Sequence, residues 1–169
     1  MKDNYDTDKL LKKPRKNSRR KGNKFELDIA KMLNERFSTD EFCRTPGSGA
    51  FATIHKLPEH IDLSGDLITP PKFKFYIECK RGYNTFKISD FFNRKSEWSK
   101  ILIRAREEAE KVRKTPLIIF KQDRCTILAC TLVNAGVNIN VSNDTLYYED
   151  WTILPLDNLL KCGSNTFFK

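Results

Sequence analysis

No stretch of this chain comes near the ~20 consecutive apolar residues that a membrane span requires, and its basic, polar start lacks a signal-peptide core. Neither a membrane protein nor a secreted one is expected, and the chain is read as cytoplasmic, in a bacterial, archaeal or phage-infected cell. Histidine is scarce: His55 and His60 are the only two, and neither has a partner at a ligand spacing, so both are read as surface residues. The five cysteines (Cys43, Cys79, Cys125, Cys130 and Cys162) form an odd set with no CxxC pair, which excludes a disulfide framework and a zinc knuckle. They are expected to be reduced, partly buried thiols. Acid is missing altogether between Lys9 and Lys24.

That last absence gives the chain its polarity. Of the net charge of +9, seven units fall between Met1 and Lys24. A polyanion is the natural partner, because each neutralised phosphate releases counterions; the alternative is a disordered solubilising arm. Candidate DNA contacts in this stretch are Arg15, Lys16, Arg19, Arg20, Lys21 and Lys24. Residues 1–21 carry few apolar side chains and are expected to form a flexible basic arm. The remaining residues, 22–169, are enough for one domain with a core, and its central part is placed at about 22–132.

Along that domain, Phe25, Ile29, Met32, Leu33 and Phe37 recur at three- and four-residue spacing and predict a helix over 22–37. Glu26 beside this stripe could cap the helix electrostatically or lean toward a metal; the sequence favours the cap. A short strand over 41–45 runs into Arg44-Thr45-Pro46-Gly47-Ser48-Gly49, a turn whose amides could approach a phosphate. Two central strands are predicted at 66–69 and 74–80, with Pro70-Pro71-Lys72 as the turn between them. Ile88 to Phe92 forms a short helix or bend, and a long amphipathic helix over 94–114 carries Trp98, Ile101, Leu102, Ala105, Ala109 and Val112 on one face, with Pro116 as its stop. Phe91, Phe92 and Trp98 are either core or a contact with a second copy, core being favoured for each. Leu117 to Phe120 reads as a strand buried on both faces, and Thr126 to Leu132 as a second. Peripheral strands at 137–141 and 145–154 and a short helix at 156–160 complete an α/β domain with a mixed sheet.

The chemistry concentrates in Ser64-Gly65-Asp66 and Phe75-Tyr76-Ile77-Glu78-Cys79-Lys80. Strand alternation puts Phe75, Ile77 and Cys79 toward a core and Glu78 and Lys80 together on the other face. Antiparallel pairing across the proline turn would return Asp66 to Glu78. Two carboxylates and a lysine suit a hard divalent cation bridging a phosphate, with the lysine orienting or deprotonating a water.

The helix glutamate, the Arg-x-x-Gly-Ser-Gly turn, the Gly-Asp pair and the Ile-Glu-Cys-Lys string occur in that order over about residues 20–120. In this the chain resembles the PD-(D/E)XK nuclease superfamily, most of all the Holliday-junction resolvases of archaeal and phage type. The resemblance implies a restriction-endonuclease-like mixed sheet flanked by helices in a single domain. It implies a Mg²⁺-dependent endodeoxyribonuclease, with Mn²⁺ able to substitute, acting on branched DNA as a homodimer. Carried over by position, Glu26 is the helix acid, Asp66 and Glu78 are metal ligands, Lys80 is the catalytic lysine, and Cys79 lends its backbone carbonyl to the metal. Ser48 resembles a residue that assists catalysis or touches the phosphate, while Arg44 and Arg81 join the DNA contacts. Gly65 stands where the superfamily's name has proline, a departure expected to cost little, and the interval from Gly49 to Asp66 exceeds that of a minimal resolvase. The alternatives are another nuclease of the superfamily acting on flaps, ends or duplex, and a non-catalytic DNA-binding relative.

Overall fold

The computed structural model describes residues 18–46, 65–132 and 144–169. Arg15, Lys16, Ser48, the Gly47-Ser48-Gly49 turn, His55, His60 and the strand expected at 137–141 lie outside the described residues.

Helix α1 spans Ser18–Phe37 and buries Phe25, Ile29, Ala30 and Leu33, an apolar stripe at the helical period. It begins four residues before the expected start, so Ser18 to Lys21 belong to the helix and not to the arm. Arg and Lys are good helix formers, and Gly22 costs only about 1 kcal/mol inside a helix. Lys21 is also held at 3.5 Å by Asp123, which anchors the first turn to the body of the domain.

Strands β1 (Cys43–Arg44) and β2 (Leu67–Ile68) pair antiparallel as a two-stranded ribbon. Strand β3 (Phe75–Arg81) follows the proline turn, which is closed by the Phe73 amide donating to the Pro70 carbonyl at 2.9 Å. A 3₁₀ turn (Ile88–Phe92) leads to helix α2 (Glu97–Lys111), where the Ser96 hydroxyl accepts from the Ser99 amide as N-cap. The chain turns back at Arg113, whose φ of 55° is left-handed. Pro116 therefore does not stop the helix. It is the second residue of β4 (Thr115–Lys121), before the pairing with β5 begins at Leu117, where a missing N–H leaves no gap in the ladder.

β5 (Leu128–Leu132), β6 (Leu146–Tyr148) and β7 (Trp151–Pro155) complete a five-stranded mixed sheet in the order β3-β4-β5-β7-β6. β3 and β4 run parallel with Glu78 opposite Ile118, and the other neighbours are antiparallel. Two expectations are corrected. β3 is an edge strand, since Asp66 and β2 attach beside it without joining the ladder, and β7 lies inside the sheet between β5 and β6. Short helices α3 (Leu156–Leu160) and α4 (Ser164–Phe167) close the chain.

One core packs Phe25, Ile29 and Leu33 of α1 against Phe75, Ile77 and Cys79 of β3. The other packs Trp98, Leu102 and Ala105 of α2 against Ile118, Phe120, Trp151 and Ile153. The sheet is thus flanked by a helix on each face, the architecture expected from the sequence. Phe91 and Trp98 are core residues. All five cysteines are free, with Cys79, Cys130 and Cys162 buried. Among the described residues no helix is long and apolar enough to cross a membrane.

Candidate active site

β3 brings its chemistry to the free edge of the sheet. Alternate residues face opposite sides, so Phe75, Ile77 and Cys79 enter the α1 core while Tyr76, Glu78 and Lys80 face α2. The Lys80 ammonium contacts Glu78 Oε1, and the buried Tyr76 hydroxyl donates to Glu78 Oε2 at 3.4 Å. Both oxygens of Glu78 are therefore engaged by side chains of its own strand face.

Asp66 arrives from the ribbon. Its amide donates to the Ile77 carbonyl at 2.9 Å, its carbonyl accepts from the Thr45 amide at 2.9 Å, and its Oδ2 accepts from the Cys79 amide at 2.6 Å. The residue is stitched along the edge of β3 and carries its carboxylate to Cys79, next in chain to Glu78. Gly65 makes this approach possible. Its φ is +80°, and a Cβ there would lie 2.5 Å from the Ile77 carbonyl oxygen and 3.2 Å from the Tyr76 ring. Proline, with φ fixed near −65°, cannot adopt that conformation. The glycine is thus a requirement of this hairpin.

The electrostatics follow from this crowding. Burial, and then the charge of Glu78, push the Asp66 carboxyl up to about 6, against the Cys79 amide and Lys80, which favour its ionised form. Burial alone would lower Lys80, but the Glu78 carboxylate beside it and Asp66 outweigh that and raise it, so it stays an ammonium. Burial raises the Cys79 thiol well above its ordinary value, with Asp66 adding to the effect, which leaves it neutral and unreactive. Tyr76 is likewise pushed up by burial and then by Glu78, and remains a donor.

Glu26 enters from the α1 side, and its charge adds to the forces on Asp66 and Cys79. It does not cap α1, because the helix starts two turns earlier, at Ser18. Arg44 of β1 grips it instead, Nε to Oε2 at 2.5 Å, while the same guanidinium donates to Asn23. Arg81 pairs with Asp123 at 3.0 Å and donates to the Gln122 carbonyl. Arg44 and Arg81 are therefore engaged inside the protein, whereas Arg19, Arg20, Lys21 and Lys24 are exposed along the start of α1.

Among the described residues no three His, Cys, Asp or Glu side chains cluster as a metal cage. The donors that converge are the carboxylates of Asp66 and Glu78, and strand alternation directs the Cys79 carbonyl toward the same free edge as that of Ile77. The Glu78 charge opposes ionisation of Asp66, a strain that a divalent cation would relieve.

Sequence reasoning overlooked the surroundings of this pair. A cavity of about 190 Å³ opens beside Glu78 and Lys80, walled by Tyr76, Tyr83, Glu97 and Arg104 among others. Tyr76 was legible, two residues before Glu78 and hence on its face. Tyr83 and Arg104 carried no signal, since a turn and a second helix bring them in.

A family described as "Phage putative PDDEXK endonuclease" matches residues 17–159. The chain is also similar to "Protein D14" of Escherichia phage T5, 34% identical over 112 residues that make up 63% of this chain and 66% of that protein. It thus spans slightly less than two thirds of that relative. No solved structure matches it.

Proposed function

Because the chain belongs to the phage PDDEXK endonuclease family, we propose that it is a divalent-metal-dependent DNA endonuclease that cuts branched DNA in the manner of a Holliday-junction resolvase. The observation that carries this reading is the convergence of Asp66, Glu78 and Lys80 at the free edge of β3.

Asp66, Glu78 and the Cys79 carbonyl would hold the cation, Mg²⁺ or Mn²⁺, with Glu26 reaching it through water. So small a protein donor set suits Mg²⁺, which keeps waters and takes phosphate oxygens as its remaining ligands. When bound, the ion lowers the pKa of a coordinated water and offsets charge on the phosphoryl group. Lys80, held as an ammonium, orients the attacking water and faces the phosphoryl oxygens as negative charge builds on them. Tyr76 keeps the Glu78 carboxylate from rotating. Arg44 fixes Glu26 so that it cannot swing away from the site. The basic start of α1 and the residues before it bring the DNA backbone to this edge.

Two symmetric cuts across a junction call for two copies of the chain. Phe91 and Trp98 are core residues and so do not form that contact, which must use other surfaces. The deciding experiment is a cleavage panel of labelled four-way junction, flap, duplex and single-stranded DNA with Mg²⁺ or Mn²⁺, run beside light scattering. Paired nicks near the branch point, abolished in Asp66→Ala while DNA binding persists, are expected. Cutting of plain duplex as fast as the junction would replace the resolvase reading with a general nuclease. Cleavage by Asp66→Ala at the wild-type rate would overturn the site.

A further inference from the structure

The cavity beside Glu78 and Lys80 has two unlike walls. On one side are Tyr76 and the Glu78–Lys80 pair; on the other, Glu97, Ile101, Arg104 and Ala105 recur at the helical period along one face of α2. Tyr83 also lines it. We propose that this slot is a subsite for one unpaired nucleotide of the bound DNA strand, its base stacked on Tyr83 and its phosphate held by Arg104. The inference rests on the nuclease reading of the same site and specifies its substrate as DNA with a nucleotide free of its partner.

Tyr83 is held out at a conformational cost. Its φ is +50°, directly after Gly82 at +102°, and a tyrosine in the left-handed region costs on the order of 1 kcal/mol. The turn is fixed from the β4–β5 side: Gln122 Nε2 donates to the Tyr83 carbonyl at 2.9 Å and to the Phe86 carbonyl at 3.1 Å, and Asn84 and Asp123 exchange two hydrogen bonds. The rings that follow it in the chain, Phe86, Phe91 and Trp98, meet one another edge-on or tilted, with Phe91 and Trp98 buried and Phe86 partly so. Tyr83 instead is 38% exposed and lines the same cavity as Lys80. An aromatic ring on a fixed turn and an exposed arginine, lining one cavity with Glu78 and Lys80, are the elements by which proteins take single-stranded nucleic acid. A base stacked within a duplex cannot enter a slot between a helix and a strand edge; one without a partner can.

The test is equilibrium binding in EDTA of oligonucleotides carrying 2-aminopurine at an unpaired position, against a fully paired duplex of the same sequence. Quenching of the probe by the wild type and by Tyr83→Phe is expected. Tyr83→Ala should weaken binding of the unpaired strand by about 5- to 150-fold, the range of one base stack, and Arg104→Gln should weaken it as well, with duplex binding unchanged in both. Equal losses on both DNAs, or none on either, would overturn the subsite. Should Tyr83→Ala fail to fold by circular dichroism, Arg104→Gln on the exposed helix face decides alone. Since no metal is present, the result stands whether or not the chain cuts DNA: selective binding without cleavage by the wild type would sink the nuclease reading and keep the subsite, and cleavage without selectivity would do the reverse.

Discussion

Asp66 is the residue on which stability and chemistry pull in opposite directions. Its pKa of about 6 in the fold lies above the ordinary 3.8, so the folded state favours the protonated carboxyl. Its favourable contribution is complete below about pH 4 and is lost as the pH rises through 6; beyond that, the ionised group destabilises the fold. Asp66→Asn removes the charge and keeps an oxygen for the Cys79 amide. At pH 7.5 it should raise the unfolding free energy by about 1–3 kcal/mol, measured by urea melts, while abolishing cleavage. The gain should vanish below pH 4. In the wild type, stabilisation by added Mg²⁺ should grow as the pH passes 6, because the cation competes with the proton. A lower unfolding midpoint for Asp66→Asn at pH 7.5 would mean that burial and Glu78 do not together disfavour the charge on this residue.

At the scale of elements, the ribbon-to-strand hairpin determines whether the site assembles. Gly65→Ala places a Cβ against the Ile77 carbonyl and forces a left-handed φ on alanine. A loss of about 1–3 kcal/mol is expected, with a larger proportional loss of cleavage because Asp66 moves with the strain. Gly65→Pro should be worse than alanine in both assays. Wild-type activity in the proline variant would show that the hairpin can form another way. This element also marks where sequence reading succeeded and where it stopped. Period-two alternation in β3 and the proline turn made the Asp66–Glu78–Lys80 grouping legible, and the 3.6-residue stripes made α1 and α2 legible. Strand order was not, because β3 as an edge and β7 as an interior strand depend on long-range pairing that local pattern does not encode. The start of α1 escaped because Ser18 to Lys21 bury nothing at the helical period, and the contact that ties them to the domain, Lys21 to Asp123, spans 102 residues. The grip of Arg44 on Glu26 escaped for the same reason: each looked like a site residue alone, and only the fold shows that they occupy one another.

For the whole molecule, charge is the property that carries furthest. The exposed cations along the start of α1 continue the positive charge of residues 1–17. Deleting residues 1–17 should leave the unfolding free energy within about 0.5 kcal/mol of wild type. It should also flatten the dependence of log K on log salt by several units, read from DNA titrations between 50 and 200 mM salt, since each phosphate contact contributes about −0.9 to that slope. An unchanged slope would assign the DNA contact wholly to residues 18–169. β1 and β2 are two residues long each, and Asp66 hangs on their ribbon, outside the ladder of the five-stranded sheet. So short a ribbon leans on the burial of Leu67 in the α1 core, and trimming that one side chain would loosen the carboxylate while the ladder behind it stays paired.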